Sequence, residues 1–312
     1  MFYKANEFQL KHLISLVSET FELYGPKKVG RNTIYCKIQS ESEIEWGYSR
    51  AIMPFKKILF PDGEALQRQP NKIAIVGMPL CDIAALNLFL EQFNGSGLIP
   101  KREDILVVGS DCHPDDNCFC NLYDLEKLWN YDLFILQKSH GFLVESKGWQ
   151  SKDLIDKCGF KETDESFKLK SKAKAEKFDL VHTRNLIDNK HLTEDYWQGI
   201  ANNCFGCGAC TTVCPLCFCF KQDYLSCPGG EDKKCLKWDS CFAADFSQIQ
   251  FGNDMRPTNK DRLYNWYHHK FVRGPKELGH PLCVGCGRCI TACPAHLNIH
   301  NIITSLNKKH PK

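Results

Sequence analysis

Residues 204–219 read CFGCGACTTVCPLCFC, and the rest of the chain is organised around this stretch. Cys204, Cys207, Cys210 and Cys214 follow the pattern C-x2-C-x2-C-x3-C, with Pro215 next. A second copy, CVGCGRCITACP, runs from Cys283 to Pro294. The copies lie 79 residues apart and agree at eight of twelve positions. This spacing wraps three thiolates around one [4Fe–4S] cluster and sends the fourth to the other cluster of a pair. The expected sets are Cys204, Cys207, Cys210 and Cys293 on one cluster, and Cys283, Cys286, Cys289 and Cys214 on the second.

The spacing has a physical reason. A cubane has four iron corners and needs thiolates that converge from several directions. Two intervening residues let the backbone curl around it, so one tight loop can supply three ligands. Gly206, Gly208, Gly285 and Gly287 sit inside the curls, where they tolerate positive φ and let amide N–H groups approach the sulfurs. Pro215 and Pro294 fix φ and turn the chain away after the fourth cysteine. Zinc is the alternative, but it prefers two well-separated C-x2-C pairs. Two full four-cysteine runs, each ending in Cys-Pro, favour the clusters.

The 312 residues allow one large or two medium domains. An apolar fraction of 43% suits a globular chain with a core of its own. Lys and Arg total 40 against 37 for Asp and Glu, so no strong field advertises nucleic acid. The N-terminus lacks the apolar core of a secretory signal, and no apolar run is long enough to span a membrane. A cytoplasmic location is expected. Nineteen cysteines kept reduced there mean metal or redox work rather than a disulfide framework.

Along the chain, Phe8, Leu10, Leu13, Ile14, Val17 and Phe21 predict a helix over 6–22, ended by Tyr24-Gly25-Pro26. Strand-like pieces follow at 33–38 and 56–60; Cys36 in the first is read as a small buried hydrophobe. KIAIVG at 72–77 reads as a buried strand. Its loop carries Cys81, Asp82 is a candidate helix cap, and IAALNLFLEQF continues as a helix. DILVVG at 104–109 is another buried strand, and its loop holds Cys112, Cys118 and Cys120. Both loops leave the carboxyl ends of strands, where open parallel sheets place ligands. A third [4Fe–4S] cluster on Cys81, Cys112, Cys118 and Cys120 is therefore expected. A zinc site or unrelated core thiols are the alternatives at this point.

Residues 131–145 predict a hairpin with His140 in its turn. Lys168, Lys170, Lys172, Lys174 and Lys177 mark a solvated face or linker, and Cys158 is read as structural. The fold class expected is mixed α and β. An α/β domain over 1–190 precedes a bacterial dicluster ferredoxin-like domain over 191–312, with an insertion at 216–282. The insertion carries Cys217, Cys219, Cys227, Cys235 and Cys241. Its interleaved basic and aromatic residues are read as packing over the clusters, with Arg256 and Lys270 available to offset cluster charge.

These residues resemble a known family. YSRAIMPFKKILFP at 48–61, CDI at 81–83, SDCHPDDNCFCNL at 110–122, CGACTTVCPLCFCF at 207–220, WDSC at 238–241, RPTNKDR at 256–262 and CVGCGRC at 283–289 are similar to the sulfhydrogenase β subunit. That is the iron–sulfur subunit of cytoplasmic [NiFe]-hydrogenase complexes. The related iron–sulfur chain of anaerobic sulfite reductase shares the pattern less closely. The resemblance implies an electron-transfer chain without a catalytic residue of its own. It would relay electrons between a partner that binds flavin and NAD(P) and a partner that holds the catalytic metal of a hydrogenase, or of a sulfite reductase. It also implies that Cys81, Cys112, Cys118 and Cys120 form a ligand set. It marks Cys217, Cys219 and Cys241 as family features and leaves open whether they ligate metal, substitute in a cluster set or hydrogen-bond beside one. Cys227 and Cys235 match nothing in the family pattern.

Two other classes compete with this reading. A zinc-binding nucleic-acid module conflicts with the near-neutral charge and the Cys-Pro endings. An enzyme with reactive thiols among Cys217, Cys219 and Cys241 is the other. No G-x-G-x-x-G fingerprint follows a strand, and no P-loop is present, so nicotinamide and flavin binding fall to a partner.

Overall fold

A strand covered on both faces has no polar side to show. Residues 73–78 and 105–110 are buried at every position, which makes them the middle of a sheet. A computed structural model describes residues 1–60, 62–63, 72–175, 178–189, 194–225 and 233–311. They divide into two units. The first holds the described residues of 1–60, 68–116 and 123–173; the second holds those of 61–67, 117–122 and 174–312.

The first unit runs β1 (Phe2–Ala5), α1 (Glu7–Thr20), β2 (Glu22–Val29), β3 (Asn32–Lys37), α2 (Lys56–Leu59), β4 (Ile73–Met78), α3 (Leu80–Gln92), β5 (Ile105–Ser110), β6 (Leu133–Gln137), β7 (Phe142–Ser146), α4 (Trp149–Cys158) and β8 (Lys161–Glu162). The sheet order is β3-β2-β4-β5-β6-β7-β1-β8. Its four middle strands β2, β4, β5 and β6 are parallel, and the outer pairings are antiparallel. Side chains alternate between faces along a strand. Ala74, Val76, Leu106, Val108, Leu133 and Ile135 share one core with Leu10, Leu13, Ile14 and Val17 of α1 and Ile155 of α4. The other face takes α3, where Ile83 meets Gly109 and the Phe134 ring.

α1 starts on a capping box. Asn6 Oδ1 accepts from Gln9 N–H at 2.9 Å, and Asn6 N–H donates to Gln9 Oε1 at 3.0 Å. Such a cap contributes about 1 kcal/mol.

Three local expectations are corrected. Tyr24-Gly25-Pro26 does not end α1 but lies inside β2. β4 pairs only with Glu22, Leu23 and Tyr24, so the missing N–H of Pro26 costs no bond to it. Residues 56–59 are a helical turn rather than a strand, because Phe60 packs on Phe89 and Phe93 of α3. Asp82 is not the cap of α3; Pro79 holds that position. Asp82 is fully buried in the first turn, where Tyr35 Oη–H donates to its carboxylate at 3.2 Å and lies 2.6 Å from Tyr48 Oη.

The β6–β7 hairpin forms as expected, with His140 exposed in the turn. Lys168, Lys170, Lys172 and Lys174 are exposed along a segment with no helix, and Lys172 pairs with Asp111. Lys177 lies outside the described residues. Cys158 is buried at the end of α4.

The second unit runs α5 (Leu180–Asp188), α6 (Glu194–Ala201), α7 (Ala209–Thr212), the hairpin β9 (Phe220–Leu225) and β10 (Lys233–Trp238), α8 (Asn259–His268), α9 (Gly274–Leu278), α10 (Arg288–Thr291) and α11 (Ile299–Lys309). A π-helical turn, His269–Arg273, continues α8. Trp197 of α6 is buried against Tyr264 and Tyr267 of α8, with ring centroids 5.9 and 4.8 Å away. Ile299, Ile303 and Leu306 of α11 are buried as one helical stripe. Among the described residues no helix is long and apolar enough to cross a membrane.

The α3 face gives a test. A methyl group at Gly109 would overlap the Phe134 ring and lie 2.8 Å from Ile83 Cδ1. Gly109→Ala is expected to cost about 1–3 kcal/mol in urea unfolding. Adding Phe134→Leu should recover part of the loss.

Candidate metal centre

The two cysteine runs fold alike. Gly206 and Gly285 have φ of +64° and +65°, and Gly208 and Gly287 both have φ of +74°. Each curl feeds a four-residue helix, α7 or α10, which carries the third cysteine of its run. Sulfurs receive backbone donors: Gly206 N–H to Cys204 Sγ at 3.5 Å, Leu216 N–H to Cys214 Sγ at 3.4 Å, and Leu297 N–H to Cys293 Sγ at 3.4 Å.

The insertion braces the first curl. Asn259, opening α8, donates through Nδ2 to the carbonyl of Cys204 at 2.5 Å. Ser240 of the WDSC segment accepts from Thr211 Oγ1–H at 2.9 Å and backs Gly208.

One cavity collects Cys204, Cys207 and Cys210 from the first run and Cys293 from the second. Phe242, Trp266 and Tyr267 of the insertion complete much of its wall, and Cys289 also reaches it. Cys214 is not in that lining. Its sulfur lies 3.2 Å from Lys270 Nζ. Burial pushes the Cys210 thiol up to about 12; Lys270 opposes this, and Cys204, Cys214 and Cys207 add to it. Burial also raises the Cys289 thiol, and the sulfurs of Cys283, Cys286 and Cys214 raise it further.

These residues fit a cluster. Thiols gathered in an apolar space resist ionisation until a cationic centre is among them. The buried indole N–H of Trp266, a residue of the cavity wall, has no acceptor among the described residues, and cluster sulfides would supply one. Among the described residues no three His, Cys, Asp or Glu side chains close on a point as a single ion requires. A tetrahedral zinc needs its sulfurs about 2.3 Å from one centre, whereas a cubane takes one thiolate at each corner.

Lys270 is 2% exposed and sits in the π turn. Its ammonium donates to the carbonyl of Leu282 at 3.0 Å and lies 5.0 Å from the centroid of the Trp266 ring. Burial acts to lower its pKa, but the sulfurs of Cys214, Cys217 and Cys283 outweigh burial and raise it. His269 beside it is pushed down to about 4 by burial and stays neutral. Arg256, expected to share the work of Lys270, instead donates to Asn265 Oδ1 at 3.1 Å.

The comparisons with known proteins agree with this geometry. The 4Fe-4S dicluster domain family matches residues 203–297, which takes in both runs and the insertion. The chain is 30% identical to sulfhydrogenase 2 subunit beta of Pyrococcus furiosus over 311 residues, covering 90% of this chain and 91% of that protein. The chain belongs to the sulfhydrogenase beta-subunit family. It is an iron–sulfur protein of mixed fold, with an N-terminal α/β part and a dicluster [4Fe–4S] domain that carries a long insertion.

The remaining family cysteines have these places. Cys81 is buried in the first turn of α3, at the carboxyl end of β4. Cys112 follows the neighbouring parallel strand β5 and bridges Gly47. Cys118 and Cys120 belong to the second unit. There Phe119 N–H donates to the Gly285 carbonyl at 2.8 Å, and Asn117 Nδ2 donates to Thr291 Oγ1 at 3.1 Å. Cys217 and Cys241 are buried, and a hydrogen bond with Cys219 is the first cause that raises the Cys241 thiol. Cys235 is buried in β10, and Cys227 lies outside the described residues. Sequence reasoning missed Asn259 and Ser240. Both lie in stretches of family resemblance, RPTNKDR and WDSC, and that was their one signal.

Gly285 and Gly206 give a paired test. A Cβ at Gly285 would lie 2.5 Å from the backbone of Phe119 and Cys120, whereas at Gly206 it would meet only the Asn259 side chain at 3.0 Å. Either alanine strains the left-handed backbone by about 1–2 kcal/mol. Gly285→Ala adds an overpacking cost of about 1–3 kcal/mol that Gly206→Ala avoids. Thermal melting of the two variants is expected to rank Gly285→Ala as the less stable.

Proposed function

We propose that this chain is the iron–sulfur electron-transfer subunit of a hydrogenase-like complex. It relays electrons between a subunit that binds flavin and NAD(P) and a subunit that holds the catalytic metal. The carrying observation is the single cavity shared by Cys204, Cys207 and Cys210 of one run and Cys293 of the other. That sharing supports these four as one ligand set. The absence of Cys214 from the lining supports its place in the second set. The relative's name, a sulfhydrogenase subunit, favours a hydrogenase partner over a sulfite reductase partner.

A third cluster on Cys81, Cys112, Cys118 and Cys120 belongs to the same reading. It is supported by the CDI and SDCHPDDNCFCNL stretches, and by Cys81 and Cys112 standing at the carboxyl ends of neighbouring parallel strands. The buried Cys217 and Cys241 and the half-buried Cys219 are read as thiols that hydrogen-bond beside the clusters.

Bound [4Fe–4S] clusters supply one-electron oxidation and reduction. The chain's own residues space and tune them. Trp266, Tyr267 and Phe242 exclude water from the cavity wall. The N–H groups of Leu216 and Leu297 donate to Cys214 and Cys293, and such bonds raise the potential by stabilising added negative charge. Cys207 is exposed and Phe205 is 71% exposed, so the Cys204–Cys207 turn is the edge open to a redox partner.

Iron and acid-labile sulfide per chain test this on the chain purified without oxygen and free of its partners. Three cubanes predict about twelve of each. Cys81→Ser or Cys120→Ser should lower both to about eight, and Cys241→Ser should leave twelve. A parent value of about eight would remove the third cluster. Sirohaem rather than nickel in the purified complex would overturn the choice of partner.

A further inference from the structure

Two halves with the same backbone would be expected to hold two equivalent clusters. The glycine φ angles of the two runs agree, and the last cysteine of each run receives one backbone N–H at 3.4 Å. The surroundings break the symmetry. Cys214 has an ammonium 3.2 Å away, that of Lys270, while Cys293 is met by the Leu297 N–H. Among the described residues no cation pairs with Cys293. The second run also places a buried Arg288 where the first has Ala209.

Among the described residues the Lys270 ammonium meets the Cys214 sulfur and the Leu282 carbonyl and no carboxylate. A buried, unpaired ammonium is strongly disfavoured, so it persists only with negative charge beside it. The sulfur beside it is that of Cys214, 3.2 Å from the ammonium, and Cys214 belongs to the second proposed ligand set. The carbonyl of Leu282, the residue before Cys283, accepts from the same ammonium at 3.0 Å. The π turn that carries Lys270 is a form of helix found mostly as single turns and often at functional sites.

We propose that Lys270 raises the reduction potential of one cluster of the pair, the one held through Cys214, and so fixes where an electron rests. The inference depends on the ligand sets assigned under the proposed function. Reduction adds one negative charge to a cluster, and a nearby buried cation favours that form. Coulomb energy falls with distance, so the cluster that ends on Cys293 gains less. Lys270 is a positioning residue in this account: it fixes the order of the two potentials and touches no substrate.

The test uses the complex purified without oxygen, with Lys270→Met, Lys270→Arg and the parent compared by EPR-monitored redox titration. Iron per chain is counted for each. The expected result is a lower midpoint for one cubane signal in Lys270→Met, the other cubane signals unmoved, and a parental pattern restored in Lys270→Arg. If Lys270→Met loses iron, Lys270→Gln, which keeps a polar donor without the charge, is expected to show the same selective fall. Midpoints that move together, or not at all, at full iron content would overturn the inference. A parent complex without two cubane signals would instead remove the ligand assignment beneath it.

Discussion

Thiolates can be gathered in an apolar interior only if something cationic holds them there. Cys210 and Cys289 show the problem in its bare form: burial and neighbouring sulfurs both drive their thiols towards the protonated state. An iron–sulfur core supplies the missing positive charge, and metal binding then becomes folding energy. The second unit follows from that need. α7 and α10 are four-residue helices. Helices that short do not stand alone in water. They depend on the ligands at their ends and on the walls around them. The wall is aromatic: Trp197 on Tyr267, Tyr267 on Trp266, Trp266 beside Phe242. Large rings bury much area with few rotatable bonds, which keeps water out of a space where charge changes hands.

The first unit stands on a different constraint, the covering of a largely parallel sheet. β4 and β5 are buried on both faces, so α1 and α4 must lie on one side and α3 on the other. The carboxyl ends of those two strands then carry Cys81 and Cys112 side by side in the chain's topology. Asp82 is buried next to Cys81 and held by the Tyr35–Tyr48 hydroxyl pair, which ties the cysteine-bearing turn to β3.

What could be read from the sequence, and what could not, divides by the range of the interaction. The two cysteine runs were legible because their geometry is set within a dozen residues by covalent spacing, glycine and proline. The buried strands at 73–78 and 105–110 and the hairpin at 133–146 were legible from apolar runs and turn residues. The turn at 56–59 was not, because its conformation answers to Phe89 and Phe93, some thirty residues on. Gly25-Pro26 looked like a stop, yet β-pairing with β3 carries the chain through it. The place of Cys118 and Cys120 in the second unit rests on a backbone approach to Gly285, far away in sequence. No local pattern announces such an approach. Lys270 was visible as a charge, but its partner sulfur 56 residues away was not.

The insertion is where the two halves of the dicluster domain cease to be equivalent. A repeated motif, left to itself, would give two sites with one environment and one affinity for an electron. Residues 216–282 lie between the copies and serve them unequally. Asn259 and Ser240 brace the first curl, and Phe242, Trp266 and Tyr267 wall the cavity of Cys204, Cys207, Cys210 and Cys293. Lys270, from the same insertion, turns to Cys214 instead. One wall is apolar and the other carries a charge. With the ligand sets proposed above, an added electron is favoured more beside the second than beside the first, because low dielectric magnifies the effect of the charge. Under that proposal the long insertion has a physical use that a minimal repeat cannot supply: it converts a symmetric pair of ligand loops into two unlike stations on one path.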